Sequence, residues 1–124
     1  PWLSADEMSN RMRAYHQERL TRARDTFELK LSPRAEDDLR SIYDWIAERS
    51  SPQTADRYIQ RIETTYRALV EFPMRGTQHD DLLPGLRIIG MERRVTIAFR
   101  VVGNRVEILR ILHGGRDVQA ALDT

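Results

Sequence analysis

The sequence has no cysteine. Disulfides, a thiolate nucleophile and any cysteine-based zinc site are therefore excluded. It has one lysine, Lys30, so the other nineteen of its 20 basic residues are arginine. No apolar run approaches the roughly 20 residues that a membrane span needs. No short apolar stretch follows a basic start in the manner of a secretory signal, and the expectation is a cytoplasmic protein without membrane association. There is no glycine-rich phosphate loop at a strand–helix junction, no nucleophile elbow and no HExxH pair. What is present is ordinary for a globular chain: 124 residues, 40% hydrophobic and 31% charged, enough for about one domain.

The net charge of +1 conceals a division along the chain. Residues 34–71 carry six arginines against eight acids, a balance of −2. Residues 85–117 carry seven arginines against Glu92, Glu107 and Asp117, a balance of +4. Arginine presents a planar fork matched to carboxylate or phosphate, so the second segment points to an acidic partner.

Periodicity gives the architecture. Residues 1–26 read as a helical extension, opened by the capping box Ser4-Ala5-Asp6-Glu7 with Leu3 and Met8 as a staple. Its apolar stripe of Met8, Met12 and Tyr15 is too thin to hold a helix alone. Residues 27–124 read as the main domain. Phe27, Leu29 and Leu31 alternate with Glu28 and Lys30 as a short strand. Ser32-Pro33 opens a helix with the face Ala35, Leu39, Ile42 and Ile46, and Ser51-Pro52 opens a second with Ala55, Tyr58, Ile59, Ile62, Tyr66 and Leu69. So short a connection predicts an antiparallel helix hairpin. Met74–Pro84 reads as loop, followed by strands over 86–89, 95–101 and 106–112. Gly103-Asn104 is a two-residue hairpin turn, and a regular ladder from it places Val101 opposite Val106, Arg100 opposite Glu107 and Phe99 opposite Ile108. The same ladder places Ala98 opposite Leu109, Thr96 opposite Ile111, Val95 opposite Leu112 and Arg94 opposite His113. The expected fold is α+β, a helix hairpin packed on a small antiparallel sheet with an extra N-terminal helix.

Chemistry concentrates in ILRILHGGRD, residues 108–117. Histidine titrates nearest neutrality, and His113 with Arg94, Arg100 and Arg116 could cleave a phosphodiester. No second proton-transfer group is evident beside it, so the residues favour gripping a partner through Arg93, Arg94, Arg100, His113 and Arg116, with no catalytic residue. Arg110 lies on the inward face and needs an acidic partner, among the helix acids or Asp117. The Arg100–Glu107 pair is expected to be exposed. Tyr43, Trp45, Tyr58 and Tyr66 read as core. His79-Asp80-Asp81 reads as a solvated loop rather than a metal site, and no cofactor is indicated.

LSPRAEDDLRSIYDWIAERS, a second helix ending in FPMRG, LPGLRIIG and VEILRILHGGRD occur in an order and spacing that resemble the ParE branch of the RelE/ParE toxin superfamily, over roughly residues 27–118. The resemblance implies the toxin of a type II toxin–antitoxin (plasmid stabilisation) module, wrapped by a ParD-like antitoxin and inhibiting DNA gyrase without being an enzyme. RelE-like relatives instead cut messenger RNA on the ribosome, using basic residues with a tyrosine or histidine pair in the last strands. Here no tyrosine follows Tyr66 and the tail QAALDT has no basic residue, which leaves that alternative poorly equipped. A third reading is a non-toxic repressor partner of the antitoxin. A homodimer is compatible with all three, and direct nucleic-acid binding by the chain alone is not expected. Two features depart from the pattern: Ile97-Ala98-Phe99 stands where many ParE proteins have a more aromatic strand, and residues 1–26 match nothing in it.

Overall fold

The computed structural model describes residues 3–4, 27–114 and 118–122. Strands β1 (Leu3–Ser4) and β2 (Glu28–Leu31) precede helices α1 (Pro33–Arg49) and α2 (Pro52–Arg67), and a 3₁₀ turn spans Ala68–Val70. Strands β3 (Thr77–Gln78), β4 (Leu86–Met91), β5 (Val95–Val102) and β6 (Arg105–His113) follow, then a short helix α3 (Val118–Leu122).

Both long helices start as the sequence dictates. Ser32 is extended at ψ 158°, and its hydroxyl accepts from the Ala35 amide at 3.0 Å, with Pro33 at the first helical position. Ser51 repeats the device on Thr54 at 3.1 Å, ahead of Pro52. Each cap satisfies one of the backbone donors that a helix start leaves free. The two helices form the expected hairpin and turn their apolar faces to the sheet. Leu29, Leu31, Ile62, Tyr66, Leu69, Phe99, Val106, Ile108 and Ile111 are each 1% exposed or less. Full burial of one such aliphatic side chain stabilises by about 1.5–3 kcal/mol.

The six strands among the described residues run in the order β1-β2-β6-β5-β4-β3. The expected α+β fold is present, but the sheet is mixed, because β2 pairs with β6 in parallel while every other pairing is antiparallel. The loop expected over Met74–Pro84 contains β3, which pairs Thr77 with Ile88 and Gln78 with Arg87. The Arg87 guanidinium ties the preceding chain down by donating to the carbonyls of Met74 and Arg75. Leu3 and Ser4, expected at the head of an N-terminal helix, are strand paired with Leu31 and Lys30; the rest of that expected helix lies outside the described residues. Among the described residues no helix is long and apolar enough to cross a membrane.

Candidate functional site

The site is set by an irregularity in the β5–β6 ladder. The pairs Val101–Val106, Arg100–Glu107 and Phe99–Ile108 occur as expected. Ala98 then pairs with Arg110, not Leu109, so Leu109 is an extra residue in β6. Such a β-bulge bends its strand and moves every later residue by one place. Ile97 therefore meets Ile111, Thr96 meets Leu112 and Val95 meets His113. Arg94 lies opposite Gly114, whose amide donates to the Arg94 carbonyl at 2.9 Å. The expected Arg94–His113 and Val95–Leu112 pairs do not form, because a regular alternation cannot anticipate an inserted residue.

The shift brings His113 onto the helix side of the sheet. Its ring lies 4.8 Å from that of Trp45 and 6.3 Å from that of Tyr58, both edge-to-face. This geometry suits the quadrupoles of aromatic rings. Tyr58 is buried, as expected. Trp45 is not core but 46% exposed, with the Arg49 guanidinium 4.3 Å from its ring centroid. Trp45, His113, Asp38 and Ile42 line a cavity of about 320 Å³ between α1 and the end of β6. Trp45 and Tyr58 are the members of this site that the sequence does not reveal; their helical spacing places them on α1 and α2, not beside a strand end 55 or more residues away.

Arg110, the anomaly of the apolar strand, finds the helix acid it needs. Its Nε and Nη2 donate to the two carboxylate oxygens of Asp38 at 2.8 and 2.9 Å, and its Nη1 donates to the Ala121 carbonyl of α3 at 2.7 Å. The hydrogen bonds that Arg110 donates to Asp38 raise its hold on its proton above the ordinary level, against the burial that opposes its charge. Arg100 is also engaged. Its Nε donates to Glu107 at 2.8 Å, and the other Glu107 oxygen holds Arg105 at 2.8 Å. Glu107 is only 2% exposed, so the pair expected on the surface is a largely desolvated carboxylate shared by two arginines.

Arg93 and Arg94 occupy the β4–β5 turn and are exposed. The turn is closed by the Arg94 amide donating to the Met91 carbonyl at 3.0 Å. Its central residues have positive φ, 53° at Glu92 and 59° at Arg93, the signature of a type I′ turn. Left-handed backbone costs a non-glycine residue about 1–2 kcal/mol. From α2, Arg61 reaches this turn through a fork on Glu92 at 2.9 and 3.2 Å. Burial raises the Tyr58 phenol above its ordinary value; the Glu92 carboxylate adds to the rise, while Arg94 and Arg61 oppose it. Tyr58, His113, Glu92, Arg61 and Arg94 thus share one end of the molecule.

The structure therefore brings together some of the expected residues and separates others. His113 and Arg94 lie at the same end of the sheet, on adjacent rungs. Arg100 is five residues along β5 from Val95, roughly 17 Å at about 3.4 Å per residue, and on the other face. Arg116 and Asp117 lie outside the described residues. In the 79–81 loop, Asp80 accepts from the Gly85 amide at 2.8 Å and so shapes the turn into β4. The arrangement can hold a partner with a cationic turn and an adjoining indole.

Residues 29–118 match a family described as the ParE toxin of type II toxin–antitoxin systems, parDE. The chain is similar to Toxin ParE3 of Caulobacter vibrioides, 33% identical over 85 residues that cover 68% of this chain and 84% of that protein. It is also similar to Toxin ParE1 of the same organism, 32% identical with coverage of 75% and 95%. A solved structure of the chromosomal ParDE TA system from P. aeruginosa superposes with a TM-score of 0.64 at 30% identity, covering 72% of this chain and 97% of that one.

Proposed function

We propose that this chain, which belongs to the ParE family of toxins of type II toxin–antitoxin systems, acts by holding a protein target and not by breaking a bond. The target is DNA gyrase, met in the cytoplasm, and the toxin is neutralised by a ParD-like antitoxin. The contact surface is the basic end of the sheet: Arg93 and Arg94 on the β4–β5 turn with His113 behind them; Arg116, outside the described residues, is assigned to the same contact from the sequence alone. Arg100 supports the sheet through Glu107 and contributes at its margin. The toxin domain begins at residue 27, and Leu3–Ser4 of the preceding segment add an edge strand to its sheet.

One observation carries the choice of binding over catalysis. A phosphodiesterase would need His113 and its arginines around one phosphate, yet Arg100 lies roughly 17 Å along the sheet from the His113 rung, at about 3.4 Å per residue, and is spent on Glu107. His113 itself is packed edge-on against two aromatic rings. A general acid or base contributes about 10²–10⁴-fold to a rate, so a nuclease would lose at least that much on His113→Ala.

A paired assay tests the reading. Purified toxin should block supercoiling of relaxed plasmid by gyrase and leave messenger RNA on programmed ribosomes uncut. Normal supercoiling together with site-specific mRNA cleavage abolished by His113→Ala would replace it with the ribonuclease reading. Harmless expression without antitoxin would replace it with the repressor-partner reading.

A further inference from the structure

The sequence at the β4–β5 turn is poorly suited to the conformation it adopts. A type I′ turn asks for positive φ at both central positions and is normally made by Asn-Gly, Asp-Gly or Gly-Gly. Here the positions are Glu92 and Arg93, at 53° and 59°. Neither has the short polar side chain by which Asn or Asp eases the left-handed region. Strained backbone persists where surrounding structure over-determines it, and a side chain of α2 lies against this turn. Arg61 Nε and Nη2 grip both Glu92 oxygens at 2.9 and 3.2 Å, across 31 residues of sequence. Arg61 is itself steadied, its guanidinium carbon lying 4.9 Å from the ring centroid of the buried Tyr58. The chain of contacts therefore runs from core tyrosine to arginine to glutamate to turn.

We propose that Arg61 is a positioning residue: its fork on Glu92 holds the turn left-handed and so fixes the direction in which Arg93 and Arg94 are presented. The proposal rests on the reading of those two arginines as target contacts. A planar bidentate pair suits the role because it fixes an orientation as well as a distance. A turn free to adopt the unprimed geometry would splay β4 from β5 and carry both arginines away from His113.

The alternative is that Arg61 touches the target directly, and a double variant separates the two. Arg61→Met removes the fork but keeps an aliphatic stem over Tyr58. Glu92→Asn supplies a residue that tolerates positive φ without help. Native-state amide exchange at Arg94, whose N–H closes the turn, reads the turn in the full-length toxin without any partner. Inhibition of gyrase supercoiling reads the surface. Arg61→Met should speed Arg94 exchange and raise the inhibitory concentration, each by up to about fivefold, the upper range for an exposed ion pair. Arg61→Met/Glu92→Asn should restore both. Unchanged Arg94 exchange in Arg61→Met overturns the proposal. So does a double variant whose exchange recovers while its inhibition stays at the Arg61→Met level, since Arg61 would then contact the target itself. Failure of the surface reading shows separately, as Arg94→Ala inhibiting like the unaltered toxin, and leaves the exchange result to decide the role of Arg61 in the turn.

Discussion

Asp38 on α1 accepts three hydrogen bonds from β6: two from the Arg110 guanidinium and one, at 2.8 Å, from the Ile111 amide. Strand β2 ends at Leu31, opposite Ile108, and beyond it the edge of β6 has no strand neighbour on that side among the described residues. Helix α1 takes over there. Ser32 donates from its amide to Ile108 and from its hydroxyl to Leu109, and Asp38 continues to Ile111. A sheet edge is thus finished by side chains of the following helix, which answers the demand that buried backbone groups be paired.

Breaking this junction should be costly. Asp38→Ala leaves a largely buried guanidinium and the Ile111 amide without their acceptor, and should lower unfolding free energy by about 3–5 kcal/mol. Asp38→Leu/Arg110→Leu should recover part of that loss, because no unpaired charge remains. Urea titration of the three proteins checks the order; a double variant less stable than Asp38→Ala would contradict it.

Ser32→Ala removes a helix cap and the hydroxyl bond to the bulged Leu109 together. A lost cap costs about 1 kcal/mol, and an orphaned buried carbonyl adds about 1 kcal/mol. Ser51→Ala removes the exposed cap of α2 and a solvent-exposed hydroxyl contact with Thr54, with no buried group orphaned, and should cost about half as much. Equal losses for the two, measured by thermal unfolding, would show that the Leu109 bond contributes nothing.

Alkaline pH should unfold the protein through its buried tyrosines. Burial raises both Tyr66 and Tyr58 above the ordinary value of 10.0. The neutral phenol is the native form, so their contribution is complete below about pH 10 and is lost as pH rises above it. The buried Tyr66 hydroxyl has no hydrogen-bond partner among the described residues. Tyr66→Phe should therefore be within about 1 kcal/mol of neutral at pH 7 and should flatten the loss of stability above pH 10. Stability curves against pH for the two proteins decide it; parallel curves would contradict the assignment.

Reversing the charge of the basic turn should separate function from fold. Arg93 and Arg94 are exposed, so Arg94→Glu should change unfolding free energy by less than about 0.5 kcal/mol. Inhibition of supercoiling should fall at least about tenfold, since like charges opposed across an interface cost several kcal/mol. A fully inhibitory Arg94→Glu would remove the turn from the contact surface.

The sequence by itself determined the two long helices, β2 and the three strands β4 to β6 with their order, but not β1, β3 or the short helix α3. Ser-Pro at each helix start, apolar spacing of three and four, and Gly103 at a hairpin with φ 61° are local signals that tertiary structure had no reason to override. It also determined that Arg110 must have an acidic partner, because a guanidinium in an apolar strand has no other stable state. Tertiary structure decided the bulge at Leu109, the parallel seat of β2 and the left-handed turn at Glu92-Arg93. Each depends on a group distant in sequence: the Ser32 hydroxyl at Leu109, the Ile108 carbonyl met by the Ser32 amide, and the Arg61 fork on Glu92. A single inserted residue then turned His113 toward Trp45 and Tyr58. Alternation along a strand carries no sign of such an insertion, because the bulge is stabilised by atoms of a helix lying about 70 residues earlier in the chain and not by the strand that contains it.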